Sequence, residues 1–128
     1  MELLVSSCYI IYTDYELSLI ITDTAEYRTI INCTPVLVTA VQSNLAELSS
    51  YLLRQHLITS DNDRELRNGM YLKRERAARL VELMQDKVKL NPDNYYTFIK
   101  ILEKDRRYYR DILEVMKKTH DALTEGGL

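Results

Sequence analysis

Apolar residues recur at helical spacing in several separate segments of this chain. In three of these segments the positions are i, i+3, i+4 and i+7, which places every apolar side chain on one stripe of a helix. The three sets are Ala77, Leu80, Val81 and Met84; Tyr95, Phe98, Ile99 and Leu102; and Tyr109, Ile112, Leu113 and Met116. Since a single stripe must be buried against its neighbours, the pattern predicts a compact bundle of short helices.

The composition supports helices over strands. Only three glycines and two prolines occur in 128 residues, and all-β proteins need such residues in their many turns. Hydrophobic residues make up 46% of the chain, which is enough for one modest core. The sequence therefore predicts one all-α domain, an antiparallel bundle of five or six helices.

The first helix has a start signal and an internal bend. Thr34-Pro35 combines a hydroxyl cap with proline at the first helical position, where a missing N–H is tolerated. The apolar spacing that follows predicts a helix running to about His56. Ser43-Asn44 predicts a bend within it, because short polar side chains compete for backbone hydrogen bonds.

The later helices are bounded by similar local signals. Thr59-Ser60-Asp61 predicts a cap for a short second helix, which Asn68-Gly69 closes. A third helix is predicted from about Leu72 to Lys87. Asn91-Pro92 predicts the start of the fourth helix, and Asp105 caps the last long one.

The first residues differ in character from the rest. Residues 3–22 are rich in strand-forming side chains, with a possible turn at residues 13–15, so a short hairpin and a poorly ordered extension both remain open. We expect three parts: an extension over residues 1–30, the helical bundle over 31–123 and a flexible tail over 124–128. No targeting signal is recognised and no apolar run approaches the ~20 residues of a membrane helix, so we expect a cytoplasmic protein.

No sequence pattern of catalysis or cofactor binding is recognised. The three glycines stand at Gly69, Gly126 and Gly127, so a glycine-rich phosphate loop is absent, and GxSxG, HExxH and DxDxDG sequences are absent too. His56 and His120 are widely separated, and we expect both to be structural or solvated. We expect no enzyme activity, no metal and no cofactor.

Charged residues cluster in runs. One basic run covers residues 73–76 and continues at Arg79, a second covers 104–107 and continues at Arg110, and an acidic set follows Thr59-Ser60. Either these are solvated helix faces, with pairs such as Glu75–Arg79, or they are complementary patches for docking another protein. An alternative function is nucleic-acid binding through the first run, although acidic residues interrupt both runs.

The segment from about Val36 to Leu123 resembles the caspase recruitment domain (CARD) family of the death-fold superfamily. Three stretches carry the resemblance: NLAELSSYLLRQHLITS at 44–60, KRERAARLVELM at 73–84 and NYYTFIKIL at 94–102. They are similar to the end of helix one with the start of helix two, to helix three and to helix four. The chain departs from the family at 87–92, where a glycine is common, and other death-fold subfamilies share the same bundle.

The resemblance implies an antiparallel six-helix bundle of Greek-key type with a bent first helix. It also implies a signalling adaptor or regulator that binds other CARD-containing proteins, such as caspases or adaptors, or itself in helical oligomers. Small-molecule substrates, nucleic acid and membranes are not expected partners. The candidate partner-binding residues are Arg54, Lys100 and Lys104 on helices one and four, and Asp61, Asp63, Glu65, Lys73, Arg74 and Arg76 on helices two and three.

Overall fold

The computed structural model describes residues 23–68 and 71–125, and within these ranges every regular element is helical. The elements are α1 Ala25–Val41, the 3₁₀ segment Gln42–Asn44, α2 Leu45–Arg54, α3 Ser60–Asn68, α4 Lys73–Leu90, α5 Asp93–Glu103 and α6 Arg106–Glu125. Since α1 and α2 follow each other through the 3₁₀ segment, they form one bent unit. The all-α prediction is confirmed for these residues, whereas the possible hairpin within 3–22 and the Gly69 stop lie outside them.

The first helix begins ten residues earlier than its predicted start, so the Thr34-Pro35 prediction is wrong. Thr24 caps α1 through its Oγ1, which accepts a hydrogen bond from the backbone N–H of Tyr27 at 3.1 Å. Pro35 therefore lies inside the helix, and the expected division between residues 30 and 31 falls within α1. Residues 25–30 belong to the bundle, and Ile30 is fully buried.

Helix α1 continues through Pro35 because its proline faces solvent. Proline removes one backbone donor, which leaves the carbonyl of Ile31 without its helical partner. Ile31 and Pro35 are both exposed, so water can satisfy that carbonyl. The opposite face of α1 is buried and holds the helix in place through Thr29, Ile30, Cys33, Leu37, Val38 and Val41.

The predicted bend and the helix that follows it are confirmed. The 3₁₀ segment lies at Gln42–Asn44, and the Ser43 hydroxyl donates to the carbonyl of Ala40 at 3.1 Å. After α2, His56 adopts a left-handed conformation with φ of 62°. His56 N–H donates to the carbonyl of Leu53, and Leu57 N–H to that of Leu52, which is a Schellman C-terminus.

Polar caps start the later helices near their predicted positions. Thr59 Oγ1 accepts from the N–H of Asn62 at 3.1 Å at the start of α3. The Asn91 side chain accepts from the N–H of Asp93 at 3.1 Å at the start of α5. At the start of α4, the carboxylate of Glu75 accepts from the N–H of Leu72, so the predicted Glu75–Arg79 pair is replaced by a cap.

The core forms where these helices turn their apolar stripes inward. Helix α1 packs mainly on α4 and α6, while α2 packs on α3 and α5. All members of the three predicted stripes are buried except Ile99, which is partly buried. The largest fully buried side chains are Ile30, Leu37, Leu48, Leu52, Leu66, Leu80, Met84, Phe98, Leu102, Tyr109 and Ile112. Each contributes about 1.5–3 kcal/mol by leaving water.

Among the described helices, none has the length and apolarity that a membrane crossing requires.

Candidate functional site

Three cations from two separate helices lie where α2 and α5 end. Arg54 is the last residue of α2, and Lys100 and Lys104 lie one helical turn apart at the end of α5. The Arg54 guanidinium carbon lies 5.3 Å from the centroid of the Tyr51 ring, and Lys104 Nζ lies 5.8 Å from it. Lys100 and Lys104 line an open groove there with Gln55, Thr97, Ile101 and Glu103. We call Arg54, Lys100, Lys104 and this groove the basic groove.

Helix polarity explains why these cations gather. The C-terminus of a helix carries a partial negative charge, and cations in the last turn are stabilised by it. Because two C-termini meet in the basic groove, both attract Arg54, Lys100 and Lys104. In the described residues, no ion pair joins any of the three to a carboxylate. Within the described part of the chain, no ion pair therefore offsets their charges.

An acidic surface lies on α3 and α4, and it consists of Asp61, Glu65 and Glu82. Asp61 pairs with Arg64 at 2.8 Å, and both side chains are largely exposed. Arg79 bridges the other two carboxylates, with 3.3 Å to Glu65 and 2.8 Å to Glu82. The hydrogen bond to Glu82 raises the pKa of Arg79 above its ordinary value. Asp61 and Glu82 are the exposed carboxylates of this surface.

Asp63, predicted with this acidic set, serves the fold. Its carboxylate accepts from the buried hydroxyl of Ser49 at 2.6 Å and from Arg67 Nε at 2.9 Å. Burial opposes its ionisation, but the hydrogen bonds from Ser49 and Arg67 outweigh that effect and lower the pKa of Asp63. Asp63 therefore ties α3 to α2.

The first basic run divides into two kinds of residue. Arg76 donates to the backbone carbonyls of Leu66 and Arg67, at 2.9 and 3.0 Å. Lys73 and Arg74 are exposed at the start of α4. Since Arg76 and Arg79 are both engaged within the chain, only two of the four cations considered for nucleic-acid binding face outward.

Sequence reasoning missed a polar cluster that joins three helices. Glu26 on α1 accepts a hydrogen bond from the hydroxyl of Tyr96 on α5 at 2.5 Å. Its carboxylate also lies 3.1 Å from Nε2 of His120 on α6, and the Tyr95 ring stacks on that imidazole with centroids 5.1 Å apart. The bond to Glu26 raises the pKa of Tyr96 to about 12. No sequence signal links these positions, because they lie on separate helices.

The cluster lies beside a groove of about 410 Å³ between α5 and α6. Its lining mixes apolar residues such as Ile99 and Leu113 with residues of both charges, so it has no preference for one sign. Among residues 23–68 and 71–125, no three His, Cys, Asp or Glu side chains come together as a metal site would require. His56, the other histidine, is exposed.

Comparison with known proteins found no match among protein-family models, curated proteins or solved structures.

Proposed function

We propose that this chain is a non-enzymatic signalling adaptor or regulator of CARD type that acts through homotypic binding. The observation that carries the proposal is the basic groove, where Arg54, Lys100 and Lys104 gather without a carboxylate partner in the described residues. The bent unit formed by α1 and α2 and the helical class of the described chain also support it. A complete six-helix death-fold arrangement is part of this proposal.

In the proposed mode, the basic groove of one copy docks on the acidic surface of another. The two surfaces lie on different helix pairs, so the contact is heterologous, and the pair keeps one free basic groove and one free acidic surface. Contacts of this kind build rings or open-ended assemblies rather than two-fold dimers. Opposite charges speed association and suppress wrong partners, and their effect weakens with salt.

The proposed partners are CARD-containing proteins, either caspases, adaptors or further copies of this chain, in the cytoplasm. The chain then acts in apoptotic or inflammatory signalling by regulating caspase activation. A copy that binds through one surface and recruits nothing further acts as a decoy, and a copy that extends the assembly acts as an adaptor.

Assembly state tests the proposal directly. Light scattering after size exclusion, with electron microscopy, is measured at several protein concentrations for the wild type, Lys100→Glu/Lys104→Glu and Asp61→Lys. The wild type is expected to form concentration-dependent oligomers, and each variant is expected to be monomeric because one docking surface is reversed. Lys118→Glu, at an exposed position on α6, is the matched control and is expected to assemble like the wild type.

Mixing the two monomeric variants sharpens the test. The Lys100→Glu/Lys104→Glu variant keeps an intact acidic surface and Asp61→Lys keeps an intact basic groove, so the mixture is expected to form heterodimers through these two surfaces. A wild type that stays monomeric at every concentration, or a mixture in which no heterodimer forms, would rule out docking through these two surfaces.

A further inference from the structure

We propose that the basic groove is also a binding site for a multiply charged phosphate group, such as a triphosphate. This inference goes beyond homotypic binding and does not depend on it, because it concerns the groove of a single copy. It rests on three features of the groove: its net charge, its neutral hydrogen-bond donors and the ordering of its cations by Tyr51.

The net charge of the groove is positive after all local charges are considered. Lys100 and Lys104 line the groove and Arg54 lies beside it over the Tyr51 ring, so three full positive charges are present. Each of the two helix C-termini contributes a partial charge of about half a unit of opposite sign. Glu103 lines the same groove, but Arg106 lies 3.9 Å from its carboxylate. A positive site open to water attracts anions, and ligands with several charges gain most.

A second carboxylate near the groove is also engaged. Glu47 accepts a hydrogen bond from the amide of Asn44 at 2.9 Å and one from the hydroxyl of Tyr51 at 3.4 Å. These donors direct the Glu47 carboxylate to the hydroxyl end of the Tyr51 ring, whereas the two cations lie over the ring itself.

The groove offers the donors that phosphate oxygens use. Lys100 and Lys104 provide point charges for phosphate, and the guanidinium fork of Arg54, beside the groove, is of the kind that binds two phosphate oxygens at once. The hydroxyl of Thr97 and the amide of Gln55 add neutral donors to the lining. The groove measures about 510 Å³, which is ample for a chain of three phosphate groups.

Tyr51 orders the cations before a ligand arrives. Arg54 and Lys104 both lie within 5.8 Å of the centroid of its ring, so cation–π attraction restricts two otherwise flexible side chains. A site that is ordered in advance loses less conformational entropy on binding and gains affinity. The same cations serve the proposed homotypic contact, so a bound polyphosphate is expected to compete with assembly.

Titration calorimetry with sodium tripolyphosphate tests the site. The protein is the Asp61→Lys variant, which keeps the basic groove and is expected to bind the probe whether or not the wild type assembles. Lys104→Gln and Lys100→Gln, each added to this background, are expected to weaken binding about tenfold, because each loses one charged contact. Lys118→Gln is the matched control and is expected to bind like the background. Backbone amide shifts caused by the probe are expected at Thr97 and Lys100.

A second experiment, with lipid vesicles, distinguishes a soluble phosphate ligand from a phosphorylated lipid headgroup. Co-sedimentation is measured with phosphatidylcholine vesicles that contain or lack phosphatidylinositol bisphosphate. Groove-dependent binding of tripolyphosphate supports a soluble ligand, and groove-dependent binding of the bisphosphate vesicles alone supports a lipid headgroup. Absence of binding in both arms, equal weakening by Lys118→Gln, or amide shifts confined to other helices would overturn the site. The light-scattering experiment tests homotypic assembly separately, so the failure of one proposal is distinguishable from the failure of the other.

Discussion

Arg76 on α4 donates through Nη1 to the backbone carbonyl of Leu66, 2.9 Å away in the last turn of α3. The same guanidinium donates to the carbonyl of Arg67 at 3.0 Å and to that of Tyr71 at 3.2 Å. The last carbonyls of a helix have no partner within the helix, so Arg76 supplies donors that the end of α3 lacks. This residue therefore fixes the connection between α3 and α4.

Arg76→Gln is expected to cost about 1–3 kcal/mol of unfolding free energy, because several carbonyls lose a charged donor. The neighbouring Arg74 carries the same charge in an exposed position, so Arg74→Gln is the matched control and is expected to change stability by less than about 0.5 kcal/mol. Urea unfolding at neutral pH measures both. Equal costs at the two positions would contradict the assignment of Arg76 to the α3 end.

His56→Gly is expected to raise stability by about 0.5 kcal/mol. A left-handed conformation costs a non-glycine residue roughly 1–2 kcal/mol, and glycine avoids that cost at the expense of greater freedom in the unfolded chain. His56→Val is expected to have the opposite effect and to lower the free energy of unfolding by about 1 kcal/mol, because a β-branched side chain fits the left-handed conformation worst. Thermal unfolding distinguishes them, and a valine variant as stable as the glycine variant would refute the Schellman C-terminus.

Leu80→Ala and Phe98→Ala are each expected to cost about 2–5 kcal/mol, because both side chains are fully buried in the core. Leu90 at the end of α4 has 82% of its surface exposed, so Leu90→Ala is expected to leave the melting temperature nearly unchanged. If Leu80→Ala were as mild as Leu90→Ala, the assigned packing of α4 would be incorrect.

Glu26→Gln is expected to remove a pH-dependent part of the stability. Burial opposes ionisation of Glu26, but hydrogen bonds from Tyr96 and His120 outweigh it, so its pKa lies below the ordinary value of 4.5. A carboxylate whose pKa is lowered by folding stabilises the fold at pH values above its ordinary pKa. This contribution is lost as the pH falls through the lowered pKa.

Urea unfolding of wild type and Glu26→Gln is measured from neutral pH to about pH 3. The variant is expected to be less stable by about 1 kcal/mol at neutral pH, and the difference is expected to shrink as the solution is acidified. Asp86→Asn, at an exposed carboxyl on α4, is the control and is expected to show no such convergence. A difference that stays constant across the range would show that Glu26 does not act through its charge.

The sequence predicted helices α4 to α6 well because each carries a complete apolar stripe, whereas α3, whose one buried residue is Leu66, was predicted from its polar cap at Thr59. It failed at α1 because Thr34-Pro35 has the form of a helix start, while the burial of Ile30 and Leu37 on either side keeps one helix intact. Of the predicted charges, Arg54, Lys100 and Lys104 do come together. The local sequence does not distinguish Asp63 and Arg76, which hold the fold together, from their exposed neighbours. Their partners Ser49 and Leu66 lie 14 and 10 residues away in the chain.

The contact between Glu26 and His120 also determines how this bundle is attached to anything beyond it. Glu26 lies in the first turn of α1 and His120 near the end of α6, so the described chain enters and leaves at one corner. A neighbouring module fused at either side would be held at that same corner. A circular permutant could join the two sides with a short linker, opening the chain instead at the connection between α4 and α5, where Leu90 and Asn91 are exposed.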